Sequence, residues 1–155
     1  MTDRILAIDP GGSTGWALFE GTKPTKFGTV YQDKFHDWLA AVVETFQPDD
    51  IVVEDYLIRP EQLVGQKAHL WSSVQTVRFI GAIQFYGHQQ KIPVTLQQPS
   101  IKTAAAGLTG LPYTPKKKGM HHIDAMLHGA YFLIVTKKIN PAEVRIPSRN
   151  EKETA

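Results

Sequence analysis

The chain opens on a short apolar run, Ile5-Leu6-Ala7-Ile8, closed by Asp9 and the turn formers Pro10-Gly11-Gly12. So brief a run, stopped by Pro and Gly, predicts a buried strand over 4–9. Gly15 to Phe19 predicts a second strand, joined to the first by a tight turn over Gly11–Thr14. The β-branched and aromatic residues of Lys26 to Tyr31 predict a third, so the opening reads as an antiparallel meander. Phe35, Trp38, Leu39, Val42, Val43 and Phe46 then recur at helical spacing, and Pro48 stops that helix. Ile51 to Glu54 predicts a fourth strand, and 57–65 a loop. A long helix follows from about Gln66 to Gln90, with Leu70, Val74, Val77, Ile80, Ile83 and Phe85 on its apolar face. Pro93 to Leu96 predicts a fifth strand. Ser100 is placed to cap a short helix that Gly107 would end. The stretch to Gly119, dense in Gly, Pro and Lys, predicts a loop, and Ile123 to Val135 a final helix. From Asn140 the chain is polar and proline-interrupted, which predicts a flexible tail over 140–155 and one domain over 1–139.

A meander followed by strands alternating with helices implies an α/β fold with a five-stranded mixed sheet flanked by helices. The length of 155 residues suits one domain with a core of its own. A hydrophobic content of 42% against 21% charged residues argues against disorder over most of the chain. No apolar run approaches the roughly 18 residues that a membrane span needs, and the N-terminus lacks a signal-peptide pattern. There are no cysteines, which removes disulfides and thiolate ligands and fits a cytoplasmic location.

The net charge is only +2, but its distribution is uneven. From Lys102 onward lie Lys116, Lys117, Lys118, Lys137, Lys138, Arg145 and Arg149, while the acids fall mainly in the first half and the last few residues. Cations gathered beside a carboxylate site would suit a polyanionic partner. A solvated loop accounts for Lys116–Lys118 equally well.

Two carboxylates stand at strand ends. Asp9 closes the first strand and Glu54 the fourth, and open sheets gather reactive groups at the carboxyl ends of their strands. If the two strands are neighbours, both side chains enter one crevice. The plainer alternatives are a turn-forming aspartate and a solvated strand end. His121 and Asp124, three residues apart at the start of the last helix, share a helix face and can ligate one cation. The helix start also favours the charge of Asp124. His122 points elsewhere and reads as a surface or capping residue. His128, one turn past Asp124, either approaches the site or is buried and hydrogen-bonded. Oxygen-rich sets of this kind suit Mg²⁺, and a pair of ions about 4 Å apart can align an attacking water and stabilise a leaving oxygen.

Four stretches together resemble the RuvC-type Holliday-junction resolvases, of the ribonuclease-H-like superfamily. Ile8-Asp9-Pro10-Gly11 with Thr14-Gly15-Trp16 is similar to the family's first catalytic motif. Phe46-Gln47-Pro48-Asp49 leading into Val52-Val53-Glu54 resembles its second carboxylate strand. Pro99-Ser100-Ile101-Lys102 and Ala104-Ala105-Ala106-Gly107 resemble the segment with a DNA-contacting lysine. His121 to Leu127 is similar to the last motif, where two ligands stand three apart. The resemblance spans about residues 4 to 136 in motif order. It implies a ribonuclease-H-like fold and a homodimeric, structure-selective endonuclease. Such an enzyme would cut four-way junctions and other branched DNA with two Mg²⁺ or Mn²⁺ ions, leaving 5′-phosphate and 3′-hydroxyl ends. By the same resemblance Asp9, Glu54, His121 and Asp124 are the catalytic and metal-binding residues. Tyr56 and Leu57 stand where the family inserts an apolar or aromatic side chain at the junction centre, although Tyr56 packed on the sheet edge is the plainer reading. Arg59, Lys67, Lys102 and Lys116–Lys118 complete the expected DNA contacts, and the long helix is the expected dimer interface. The span from Gly107 to His121 is shorter than in bacterial members and resembles phage-encoded relatives, which would act in the host cytoplasm. Three alternatives stay open: an actin-like phosphate-binding ATPase, a catalytically inactive DNA-binding relative, and a nuclease for flaps, forks, linear DNA or RNA.

Overall fold

Alternation along the first strand decides the layout of the molecule. In β1 (Arg4–Asp9), Leu6 and Ile8 belong to one buried cluster, and Ile5 and Ala7 to another on the opposite side of the sheet. With a side-chain period of two, Asp9 falls on the Ile5–Ala7 side. The computed structural model describes residues 2–63, 67–113 and 120–147, with the side chains of 62, 63 and 67–69 left out. β2 (Ser13–Glu20) and β3 (Lys23–Tyr31) pair antiparallel in a meander with β1, and β4 (Asp50–Glu54) and β5 (Val94–Gln97) pair parallel. β1 also pairs parallel with β4, giving the order β3-β2-β1-β4-β5. This is the mixed five-stranded sheet expected from the sequence, with β1 at its centre.

Two layers of helix cover the sheet. α1 (Phe35–Phe46) and the long α3 (Lys67–Gln90) pack on Leu6, Ile8, Ile51 and Val53. α4 (Ile101–Thr109) and α5 (His121–Tyr131) pack on Ile5, Ala7, Ala17 and Val52. A single turn, α2 (Pro60–Leu63), lies within the segment expected to be loop.

Several boundaries differ from the sequence expectation for identifiable reasons. Gly107 does not end α4; the helix runs to Thr109 and stops at Gly110, whose φ of +69° is left-handed and suits a residue without Cβ. α5 begins at His121 rather than Ile123, because helix geometry starts before the apolar period does, and it runs on as a wider turn over Phe132–Thr136. On α3, Val77 and Phe85 are exposed and Phe79, Ile80 and Ile83 are buried, with Ser73 and Thr76 completing the inner face. Residues beyond Asn140 also contribute to packing: Val144 is buried in the α5-side core, and the Arg145 N–H donates to the Thr22 carbonyl.

Candidate active site

The sheet places its two carboxylates by register and parity. β1 and β4 run parallel as neighbours, with Ile8 opposite Val53, so Asp9 and Glu54 emerge at the same carboxyl end. Both alternate with residues of the α5-side core, Ala7 before Asp9 and Val52 before Glu54, so they share one face. A turn in which the Gly11 N–H donates to Thr14 Oγ1, and that hydroxyl to the Gly11 carbonyl, fixes the chain directly after Asp9.

α5 lies across this end of the sheet because Gly15 lets it. Gly15 pairs with Asp9 across the β1–β2 ladder, and a Cβ on it would overlap the His121 carbonyl. A second close approach comes at Gly129, where a Cβ would overlap the Phe19 ring. The first turn of α5 therefore sits directly over Asp9. His121 Nδ1 lies 3.6 Å from Asp9 Oδ2, and ligand atoms of Asp9, His121 and Asp124 all fall within 4.8 Å of one another.

Glu54 is held differently. His128, fully buried one turn beyond Asp124, has Nε2 2.8 Å from Glu54 Oε2 and Nδ1 2.8 Å from Gln97 Oε1. A carboxylate only accepts, so His128 Nε2 carries the proton in this contact. Lys102 Nζ, from the first turn of α4, stands 2.9 Å from Glu54 Oε2 and 3.5 Å from Asp124 Oδ2. The Tyr113 hydroxyl donates to Asp124 Oδ1 at 2.9 Å.

The electrostatics follow from this crowding. Burial pushes the Asp9 carboxyl up to about 6, with the negative charges of Glu54 and Asp124 adding to the rise and His121 and Lys102 opposing it. Burial also raises Glu54, but the His128 hydrogen bond and charge, with Lys102, outweigh it and leave Glu54 below its ordinary value. His121 is raised by the adjacent Asp9 carboxylate, against partial burial. Burial lowers Lys102, yet Glu54 and Asp124 more than compensate and hold it firmly protonated. Burial and the Asp124 charge push the Tyr113 hydroxyl up to about 12, so it stays a donor.

Two carboxylates and an imidazole within one ion's reach are a donor set that fits a hard divalent cation such as Mg²⁺ or Mn²⁺. The raised Asp9 points the same way, since a buried acid among other acids is an incomplete arrangement without a cation. Among the described residues Glu54 stands outside the trio of mutually close ligands.

The remaining expected contacts divide. Tyr56, Leu57 and Arg59 line one open cleft of about 550 Å³ with Glu61, Gln98 and Pro99, just beyond the ends of β4 and β5. Within it Tyr56 is anchored, its hydroxyl 2.7 Å from Ser73 Oγ on α3, whereas Leu57 is 67% exposed. Lys67 is the first residue of α3, and Lys116–Lys118 lie outside the described residues. Among the described residues, Lys137 pairs with Asp50 at 2.9 Å at the opposite end of the sheet, where the Arg145 backbone N–H also donates to the Thr22 carbonyl. Gln97 and Tyr113 were not singled out by sequence. Gln97 has a signal only once register is known, as the β5 partner of Glu54. His122 stacks on Phe27 with ring centres 5.6 Å apart, away from the ligand trio.

A central β1 flanked by an antiparallel meander and two parallel strands, with helices on both faces, is a ribonuclease-H-like fold. The chain matches a Thermus thermophilus RuvC in complex with Holliday junction substrate at a TM-score of 0.63 and 16% identity, covering 88% of this chain and 96% of that one. A second Thermus thermophilus RuvC structure matches at 0.59 and 15% identity, covering 87% and 96%. The yeast mitochondrial Holliday junction resolvase Ydc2 matches at 0.54 and 11%, covering 83% of this chain and 78% of that chain. At such identities the likeness establishes a shared fold. No protein-family model matches the sequence, and no curated protein sequence matches it. Among the described residues no helix is long and apolar enough to cross a membrane.

Proposed function

We propose that this chain is a RuvC-type, metal-dependent endonuclease that cuts Holliday junctions or closely related branched DNA. The observation that carries this reading is the convergence of Asp9, His121 and Asp124 within 4.8 Å at the carboxyl end of the central strands, with Glu54 and Lys102 beside them. The RuvC-like fold and the four motifs that resemble that family support it.

Asp9, His121 and Asp124 would hold a divalent ion, with Glu54 as a ligand of a second. When bound, Mg²⁺ or Mn²⁺ supplies Lewis-acid activation of the scissile phosphate and of water. The chain's own residues do the rest. His128 and Gln97 orient the Glu54 carboxylate, and Tyr113 orients that of Asp124. Lys102 offers an ammonium to a phosphate oxygen. Cleavage on this scheme leaves 5′-phosphate and 3′-hydroxyl ends.

Leu57 is the better-placed side chain to enter an opened base step, because it is exposed while Tyr56 is tied to α3. Arg59, Lys67 and Lys116–Lys118 would meet backbone phosphates nearby. Two symmetric cuts need two sites, so the working form would be a homodimer. The outer side of α3, which exposes Trp71, Val77 and Phe85, is the face to bury. A phage origin and action in the host cytoplasm belong to the same reading.

The test is cleavage of end-labelled four-way junction, flap, fork, linear duplex and RNA with Mg²⁺ or Mn²⁺. Paired nicks confined to the junction are the expected result. Asp9→Asn should lower the single-turnover rate by roughly a thousandfold, the worth of several kcal/mol of lost ion stabilisation, while gel-shift affinity for the junction stays within a few-fold. Cutting only linear DNA or RNA would overturn the substrate, and binding without any cutting would mark an inactive relative.

A further inference from the structure

Two neighbouring strand ends carry the cleft that lies beside the candidate active site. Asp55, Tyr56 and Leu57 follow Glu54, and Gln98 and Pro99 follow Gln97. The two segments are tied together: the Asp55 N–H donates to the Gln97 carbonyl at 2.8 Å, and Gln98 Nε2 lies 3.5 Å from Asp55 Oδ2. The cleft of about 550 Å³ is lined by Tyr56, Leu57, Arg59, Glu61, Gln98 and Pro99. Small organic ligands occupy sites of roughly 300–1,000 Å³, a range that suits one nucleotide.

The lining combines two kinds of surface. Tyr56, Leu57 and Pro99 offer ring and aliphatic carbon, and the Tyr56 hydroxyl, 2.7 Å from Ser73 Oγ, holds its ring in place. Arg59 can only donate hydrogen bonds, and an ionised Glu61 can only accept them. A flat ligand with apolar faces and a donor–acceptor edge answers such a lining, and a nucleobase is that ligand. Guanine sets two N–H donors side by side, for one carboxylate, next to a carbonyl that a guanidinium can meet. The position suits a displaced base as well. Leu57, 67% exposed, is the side chain placed to enter an opened base step, and a base pushed from its stack needs a new surface.

Resting on the nuclease reading above, we propose that this cleft receives one nucleotide displaced from the branch point. Its base lies against the apolar side, and Glu61 and Arg59 read its hydrogen-bonding edge, with guanine preferred. Leu57 opens the step, and the cleft keeps it open. A base preference at the branch is then set outside the ion site, because neither Glu61 nor Arg59 belongs to the Asp9, His121 and Asp124 trio.

The experiment uses the full chain carrying Asp9→Asn, which should bind without cutting, and four-way junctions with one unpaired nucleotide at the branch point. Such a nucleotide is already out of its stack, so gel-shift affinity reads the selectivity of the cleft itself. Unpaired guanine should bind about tenfold more tightly than unpaired thymine or an abasic residue, the discrimination of one good base contact. Adding Glu61→Gln, a change of the same shape at an exposed position, should bring guanine and thymine within about twofold and leave the abasic junction unaffected. A fluorescent guanine analogue at the unpaired position should be shielded from iodide by the bound protein. Equal affinity for the three junctions, a guanine preference that survives Glu61→Gln, or an analogue left open to iodide overturns the proposal. Cutting of the same junctions by the chain with Asp9 intact and Mn²⁺ would then leave the nuclease reading standing. Neither binding nor cutting of any junction overturns both.

Discussion

On the face covered by α1 and α3 the strands present Leu6, Ile8, Leu18, Ile51 and Val53, and the helices answer with Phe35, Leu39, Val43, Phe79, Ile80 and Ile83. Phe35 and Phe79 stack there with ring centres 3.9 Å apart. On the α4–α5 face Ala7, Ala17, Ala105, Ala106, Ala125 and Ala130 recur among larger residues, and Gly15 and Gly129 sit where backbone meets helix or ring. Large side chains hold layers apart and fill the gap, which yields burial at roughly 25 cal/mol per Å². Small ones let backbones approach, which gives up some of that burial and gains placement. All the candidate chemistry lies on the closely approached face. The difference teaches that one side of this sheet is built mainly for stability and the other for the position of four side chains.

That contrast can be broken most sharply with a pair of substitutions. Phe79→Ala should cost about 3–5 kcal/mol of unfolding free energy, as for other buried aromatics, while the folded fraction keeps its single-turnover rate. Gly15→Ala should cost about 1–3 kcal/mol by overpacking, yet lower the rate by roughly a hundredfold, because His121 is pushed off Asp9. Urea melts and single-turnover cleavage on both proteins check this; equal activity losses would erase the distinction.

His128→Ala sharpens the positional side. It removes the buried donor to Glu54 and should weaken metal affinity by about 10–100-fold, read as the Mn²⁺ concentration giving half-maximal cleavage. The same change against an exposed residue such as Gln89 should do nothing.

A smaller effect is expected with pH. Folded Asp9 keeps its proton up to about 6, whereas the unfolded residue loses it near its ordinary value of about 4. Between those values the folded state binds more protons, so Asp9 contributes stability that is fully present below about pH 4 and is lost as pH rises through about 6. Glu54, lowered, works in the opposite sense and loses its contribution as pH falls. In metal-free protein Asp9→Asn should remove a decline of roughly 2–3 kcal/mol across that window, seen in urea midpoints at pH 4 and pH 7. Mn²⁺ affinity of wild type should rise over the same interval.

The smallest effect on the fold concerns the outside of α3. Trp71→Glu with Phe85→Glu should change monomer stability by no more than about 0.5 kcal/mol, because both residues are exposed, while shifting sedimentation from dimer to monomer. An unchanged dimer would place the interface elsewhere.

Much of this was legible in the residues themselves. The strand-ending acids could be read because a short apolar run stopped by charge or Gly is a local signal, and His121 and Asp124 because three residues on a helix is a local spacing. The role of Lys102 beside Glu54 was not, since α4 and β4 meet only through tertiary packing. Gln97 and Tyr113 escaped for the same reason. Gly107 misled because an exposed glycine inside a helix looks like a stop until the left-handed Gly110 is known. Val77 and Phe85 misled because apolar period alone does not say whether a helix buries one face or two, and Ser73 and Thr76 took inner positions that hydrophobicity would not assign.

The order in which the ligands occur along the chain has a consequence for synthesis. Asp9 and Glu54 leave the ribosome with the first four strands, but His121 and Asp124 arrive only with α5. A nascent or truncated product ending before α5 would carry all five strands and still lack two of the three ligands that stand together. On the proposed reading, the ion site is complete only once α5 has been made.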